Sequence, residues 1–203
     1  NPTDKSFSFT IGDANYLEET GHYYVYYEDL NVFWTEAKGL AENLTYYGLQ
    51  GYLATITSAE ENQIAAVQTN EVGWIGASDA ANEGDWRWVT GPEGLENNGN
   101  GLPFWIGPGS QLGGVAANNG NGSEYSNWNG TEEPNDCCNS NSPGEENYAH
   151  VTSPNVGAIG TWNDLDNSAN PGNENYQAKG YIVEFGGMPG DPVLNLSSST
   201  NLL

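Results

Sequence analysis

From Thr90 to Ala178 the chain is dominated by Gly, Asn, Ser and Pro, a composition that ordinarily leaves a segment without a packed core. Yet Phe104, Trp105, Tyr125, Trp128, Tyr148 and Trp162 punctuate it. So long a stretch with aromatic anchors and little helical or strand period must be held by something besides hydrogen-bond ladders. It therefore reads as a functional loop region rather than a linker. Any fold for this chain has to carry that excursion on a small framework.

The framework is visible on either side. Residues 6–11 alternate polar and apolar and predict a strand, and the aromatic run His22 to Tyr27 predicts another. From Asn31 to Tyr47 the period becomes helical, with Phe33, Trp34, Ala37, Leu40, Ala41 and Leu44 on one face and Asn31 as the cap. Tyr52 to Ile56 predicts a short strand. Ser58-Ala59-Glu60-Glu61 has the form of a capping box opening a second helix through about Gln68. No helical period follows. Trp74-Ile75-Gly76, Trp86 to Val89 and the closing run Tyr181 to Phe185 predict strands. Beyond Gly187 the composition turns linker-like. Two early helices, strands at both ends and a long excursion before the last strand make an α+β domain, with its ends together if the first and last strands pair. The division expected is an N-terminal extension with a strand over 1–21, a domain over 22–187 and a linker over 188–203.

Charge narrows the function. Four Lys and Arg stand against twenty-seven Asp and Glu, a net charge of -23. Phosphate contacts need basic side chains, so nucleic acid is excluded as a partner, and an anionic membrane surface is repelled. No apolar run approaches the ~20 residues that cross a bilayer. Seven Trp, twelve Tyr and five Phe supply too much aromatic surface for a solvated coil. A folded chain this negative is relieved by divalent cations, or carries its acids for solubility in a salty medium. The first residue is Asn, which reads as a piece of a larger or processed chain. Cys137 and Cys138 are adjacent, and are either two thiols or a strained ring of neighbours.

Glu133-Pro134-Asn135-Asp136 and, downstream, Trp162-Asn163-Asp164 gather carboxylates and side-chain amides where neither period can be found. Oxygen donors on loops suit a hard cation such as calcium. Asp164-Leu165-Asp166-Asn167 begins like an EF-hand loop but lacks the Gly at its sixth position. Gly186 to Asp191 only brushes the calcium nonapeptide repeat and does not recur. His22 and His150 lack a partner motif and read as packing residues. A glycoside hydrolase using two carboxylates is disfavoured, because the clustered acids come with amides suited to a metal. Asn43, Asn121, Asn129 and Asn195 head glycosylation sequons that matter only in a eukaryotic secretory host.

Over residues 22–186 the chain resembles a C-type lectin-like domain. The resemblance rests on Trp74-Ile75-Gly76, Trp128, Glu133-Pro134-Asn135, Trp162-Asn163-Asp164 and Tyr181 to Phe185, in that order and spacing. Trp88-Val89-Thr90-Gly91-Pro92-Glu93-Gly94, the Phe104-Trp105 pair and Tyr125-Ser126-Asn127-Trp128 are similar to bacterial members, which sit near the exposed end of large adhesins. The animal family's long-range disulfides are missing, and Tyr148 stands where one half-cystine would fall.

The resemblance implies a calcium held by Glu133, Asn135, Glu146, Asn163 and Asp164. Glu146 rather than Glu145 follows from setting Tyr148 at the lost half-cystine. Those ligands leave room for two hydroxyls of a sugar. Each hydroxyl gives a lone pair to the metal and its proton to Glu133 or Glu146, while the Asn135 and Asn163 amides donate to remaining lone pairs. The Glu-Pro-Asn order implies equatorial 3,4-diols (mannose, glucose, N-acetylglucosamine) or fucose, and a cis bond before Pro134. Asp79 and Glu83 have the spacing of the family's auxiliary calcium ligands, which Asp136, Glu146 and Asn147 would complete. Trp128 and Trp162 are expected in the core, with Trp105 or Tyr125 as the exposed aromatic near ligand. The function implied is a calcium-dependent carbohydrate-binding module of an extracellular or surface adhesin, part of a larger chain, binding a cell-surface glycan or polysaccharide and catalysing nothing. The alternative is a calcium-braced scaffold with a protein or peptide ligand.

Overall fold

A computed structural model describes residues 14–67, 72–120, 122–137, 146–170 and 172–193. The strand expected over 6–11 lies outside these. The first elements are β1 (Asn15–Leu17) and β2 (His22–Glu28), an antiparallel hairpin pairing Leu17 with His22. Helix α1 (Trp34–Glu42) buries Trp34, Ala37 and Ala41. It is shorter than its period at both ends. Asn31 does not cap it: Asn31 has φ 64° and its N–H donates to the Ala178 carbonyl at 2.7 Å. Phe33 takes the cap position, and its N–H donates to the Glu36 carboxylate at 3.3 Å. After Glu42 the chain turns into a hairpin of β3 (Thr45–Tyr46) and β4 (Leu49–Leu53). Its connection is Tyr47-Gly48, both with positive φ (51° and 83°), as the tightest hairpins require.

Helix α2 (Ala59–Ala65) is capped by Ser58, whose Oγ accepts the Glu61 N–H at 3.1 Å. The box is not closed reciprocally. The Glu61 carboxylate instead accepts from the Thr57 N–H (2.6 Å), the Thr57 hydroxyl (2.7 Å) and the Tyr24 hydroxyl (2.9 Å). The helix stops at Ala65, short of Gln68, which is not among the described residues.

Strands β5 (Gly73–Ser78) and β6 (Asp85–Trp88) follow as expected. The excursion beyond them holds more regular structure than its composition predicts. A single helical turn, α3 (Gly91–Gly94), and a tight turn, α4 (Glu96–Gly99), whose Asn97 and Asn98 have left-handed backbone, lead to β7 (Leu102–Ile106) and β8 (Val115–Ala116). Strands β9 (Tyr148–Val151) and β10 (Trp162–Leu165) then form an antiparallel hairpin, and β9 also lies against β5. Trp162-Asn163-Asp164 is thus strand, not loop. The last strand, β11 (Gly180–Phe185), is central: antiparallel to β2 and β4 and parallel to β5. Pairing of β2 with β11 brings the domain's two ends together, and the architecture is α+β.

Aromatic packing does what long-range disulfides would. One core gathers Trp86, Trp88, Phe104, Trp128 and Trp162. Trp88 stacks on Phe104 at 4.6 Å and meets Trp162 edge-on at 5.5 Å, while Trp128 stands 6.0 Å from Trp162. Such pairs each contribute about 0.5–1.5 kcal/mol beyond their burial. Trp162 Nε1 also donates to Asn62 Oδ1 of α2 at 2.9 Å, which ties β10 to the helical layer.

The junction of β2, α2 and β11 is a buried polar knot. His22 Nδ1 lies 2.6 Å from Glu184 Oε1. Burial opposes the charge on His22, but its bond to Glu184 and the charges of Glu184, Glu61 and Glu93 outweigh that and raise its pKa. Glu184 is itself pushed up, by burial first, with His22 pulling it down. The folded pair therefore holds its proton above the ~6.5 of an unfolded histidine. That contribution is fully present below about 6.5 and is lost as pH rises through the folded His22 pKa. The thermal midpoint should fall as pH rises above about 6.5, and His22→Gln should flatten the fall. Parallel profiles for the two proteins would show that the pair contributes nothing.

Candidate functional site

Strand β10 fixes one half of the site. Asn163 and Asp164 are both buried there. The other half is the 133–137 segment, which the cis Glu133–Pro134 bond turns toward β10. Asn135 N–H lies 3.1 Å from both Asp164 carboxylate oxygens, and Asp136 N–H donates to Oδ2 at 2.8 Å. Glu146 joins the same knot: its N–H donates to Asp136 Oδ1 at 3.1 Å, and its Oε2 accepts the Cys137 N–H at 2.9 Å. Cys137 is disulfide-bonded, which rules out the free thiol among the two alternatives that the sequence left open.

Burial and the Asp164 charge raise the other acids here. Glu133 is pushed up by burial first, then by the Asp164 charge and their hydrogen bond, then by Glu146. Glu146 is pushed up to about 8, by burial and then Asp164, with the Cys137 N–H pulling it back. Asp164 is raised by burial against the pull of the Asp136 and Asn135 N–H groups. Asp79 is pushed up to about 7, by burial first, opposed by the Gly84 N–H, with Glu83 and Asp164 adding to it. The Asp164 charge acts on Asp79, so the predicted auxiliary residue shares the field of the main cluster. Asn147 is next to it through its backbone, whose carbonyl accepts the Asp79 N–H at 3.3 Å. Glu83 is exposed and acts on Asp79 by charge.

Five buried side-chain polar atoms lack a hydrogen-bond partner among the described residues: Asp79 Oδ1, Glu133 Oε2, Asn135 Oδ1, Trp128 Nε1 and Thr152 Oγ1. Three of them are acceptor oxygens of the predicted site. A buried oxygen left without a donor is costly, and a cation is the partner that several such oxygens can share. Hard oxygens in this number suit calcium, which takes about six to eight. A second group, His22, Glu61 and Glu184, has ligand atoms within 4.8 Å of one another. There, however, every carboxylate oxygen already accepts a hydrogen bond from Tyr24, His22, Thr55 or Thr57.

His150 is the residue that sequence reasoning missed. It is fully buried and faces Asn163 directly across the β9–β10 pair. Burial lowers its pKa to about 4, against the pull of the Val151 carbonyl, so the ring is neutral. Its Nδ1 lies 2.9 Å from the Val151 carbonyl, which assigns the proton to Nδ1. Nε2 is then an acceptor, 3.3 Å from Asn163 Nδ2, which also donates to the Asp164 carbonyl at 2.8 Å. Both amide hydrogens of Asn163 are engaged, so Oδ1 is the atom it offers. A lone histidine in Tyr148-Ala149-His150-Val151 carries no sign of this contact, which exists only in the strand register. Trp105 is a further correction. It is buried, with its Nε1 donating to the Gly107 and Pro108 carbonyls, so it presents no exposed face. Tyr125 is half-buried against Trp162.

A family model described as Lectin C-type domain matches residues 45–156. Halomucin of Haloquadratum walsbyi is 38% identical over 193 residues, which is 94% of this chain and 2% of that protein. C-type lectin domain family 4 member F of Mus musculus is 37% identical over 94 residues, 45% of this chain and 15% of that one. The chain thus spans a small part of the length of both. Among solved structures, the mouse scavenger receptor C-type lectin carbohydrate-recognition domain matches with a TM-score of 0.51 at 20% identity, covering 85% of this chain and 95% of that chain. At that identity the likeness is one of fold.

Proposed function

The chain belongs to the C-type lectin domain family, and we propose that it is a calcium-dependent carbohydrate-binding module of a larger extracellular or cell-surface adhesin. The observation that carries this is the set of partnerless buried oxygens, Glu133 Oε2, Asn135 Oδ1 and Asp79 Oδ1, gathered around Asp164. Glu133, Asn135, Glu146, Asn163 and Asp164 would hold a principal calcium, and Asp79, Glu83, Asp136 and Asn147 an auxiliary one. Bound calcium supplies a Lewis-acid contact for two neighbouring sugar hydroxyls.

The side chains do the rest. Glu133 and Glu146 accept the hydroxyl protons, which requires both as carboxylates. The Asn135 amide donates to a remaining hydroxyl lone pair. Asn163, whose amide hydrogens go to His150 and Asp164, contributes its Oδ1 and no donor to the sugar. The ligand class is a mannose-, glucose-, N-acetylglucosamine- or fucose-type vicinal diol, on a cell-surface glycan or polysaccharide. The domain binds and does not turn over its ligand.

Glycan-array binding with and without chelator is the test. Binding to such glycans should appear with calcium, vanish with chelator and be lost in Asn135→Asp, which removes the amide donor while keeping the fold. Calcium-dependent folding with no glycan bound would replace this reading by the calcium-braced scaffold for a protein ligand. Release of reducing sugar would replace it by an enzyme.

A further inference from the structure

We propose that a groove beside β6 is a second, calcium-independent binding site, for a carboxylate-bearing saccharide. It is formed by two adjoining cavities of about 700 Å³ and about 380 Å³ that share Asn82, Asp85 and Arg87. Each lies in the range of roughly 300–1,000 Å³ typical of small-ligand sites. None of Glu133, Asn135, Glu146, Asn163 and Asp164 lines either cavity, so the groove is separate from the principal carboxylate cluster, and of the auxiliary residues Glu83 alone lines it, in the smaller cavity.

The groove is where this acidic chain brings its few cations together. The sequence has four Lys and Arg against twenty-seven acids, and two of the four, Lys38 and Arg87, line the larger cavity. Lys38 comes from α1 and Arg87 from β6, so the tertiary fold, not a local basic run, places them there. Lys38 pairs with Glu42 on its own helix. Arg87 donates to Asp85 through Nε at 3.0 Å and Nη2 at 2.8 Å, and to the Gly101 carbonyl through Nη1 at 3.2 Å. These bonds engage one of the lysine's three donors and three of the arginine's five, which leaves N–H groups for an incoming carboxylate. Elsewhere the excess of acid repels an anion, whereas in the larger cavity Lys38 and Arg87 offset Glu42 and Asp85, and Glu83 lines only the smaller one.

The remaining walls suit a sugar better than a small acid. Asn82 is exposed, in the Asp79–Gly84 turn, and has an amide to offer hydroxyls. Trp34 and Tyr148, ring centroids 4.7 Å apart, line the larger cavity. Trp34 is buried and its indole N–H is engaged by the Ile75 carbonyl at 2.8 Å, so the half-buried Tyr148, and not Trp34, supplies the aromatic surface of the groove. Length, two cations with N–H groups to spare, an amide and the Tyr148 ring together describe a uronate within an oligosaccharide.

The probes are a glucuronate-terminated disaccharide and its neutral glucose-terminated counterpart, titrated calorimetrically in excess chelator. The titration is repeated in calcium with Asn135→Asp. The acidic disaccharide should bind in both conditions, roughly tenfold more tightly than the neutral one, and Lys38→Gln or Arg87→Gln should weaken it about tenfold. Arg87 also holds Gly101, so Lys38→Gln, on a partly exposed helix face, decides the matter if Arg87→Gln does not fold. Equal affinity for the two disaccharides, no binding of the acidic one, or binding indifferent to Lys38→Gln would overturn the proposal. Loss of neutral-glycan binding in Asn135→Asp concerns only the calcium site.

Discussion

Saturating calcium is expected to raise the thermal midpoint of the chelated protein by about 5–10 °C. At a free concentration of about 100 times Kd, binding to the folded state adds about 2.7 kcal/mol. For a domain of this size each kcal/mol moves the midpoint by about 2–4 °C. The physical source is specific. Burial raises Asp164, Glu133, Glu146 and Asp79, and the Asp164 charge raises the other three further, while Glu133 Oε2, Asn135 Oδ1 and Asp79 Oδ1 have no donor among the described residues. A cation shared by these oxygens removes the repulsion and the missing bonds at once. Scanning calorimetry with calcium, with magnesium and with sodium chloride at matched ionic strength separates this from screening. Magnesium demands a tighter octahedron and keeps its waters, so it should give a smaller shift. If sodium chloride reproduces the calcium shift, the effect is general relief of the net charge of -23 and not a site.

How far the sequence reveals such a site depends on what kind of information the residues carry. The oxygen donors are visible because their chemistry is in the residue types, and Pro134 signals its own backbone geometry through the cis bond. The central strand β11 is visible because it is buried on both faces and reads as an apolar run. Strands β7 to β10 escape because they are two to five residues long, and β9 and β10 mix polar with apolar positions. Their pairing is dictated by neighbours distant in sequence, such as β5 for β9. Helix α1 is overestimated because Leu44 continues the apolar spacing, while Tyr47-Gly48 imposes a hairpin that no periodicity measures. The engagement of Asn163 by His150 is hidden for the same reason as the strands. It is a cross-strand contact, and one residue of register would abolish it.

Glu133→Gln is expected to move the chelated and the calcium-loaded protein in opposite directions. In the chelated protein burial and Asp164 raise the Glu133 pKa, so folding drives a proton onto a group that is ionised in the unfolded chain. The amide is neutral without that cost and still donates to the Asp164 carboxylate, so the midpoint should rise by a few degrees. In calcium the same change removes a charged ligand and an acceptor for a sugar hydroxyl. The calcium increment should largely disappear, and glycan binding with it. The crossing is diagnostic because the alternatives predict no crossing. A purely structural Glu133 would lower the midpoint in both conditions when replaced. If calcium acted instead at His22, Glu61 and Glu184, Glu133→Gln would raise the chelated midpoint but leave the calcium increment whole. A midpoint that falls with chelator present, with the full calcium increment retained, would remove Glu133 from the metal set and leave the partnerless oxygens without their proposed cause.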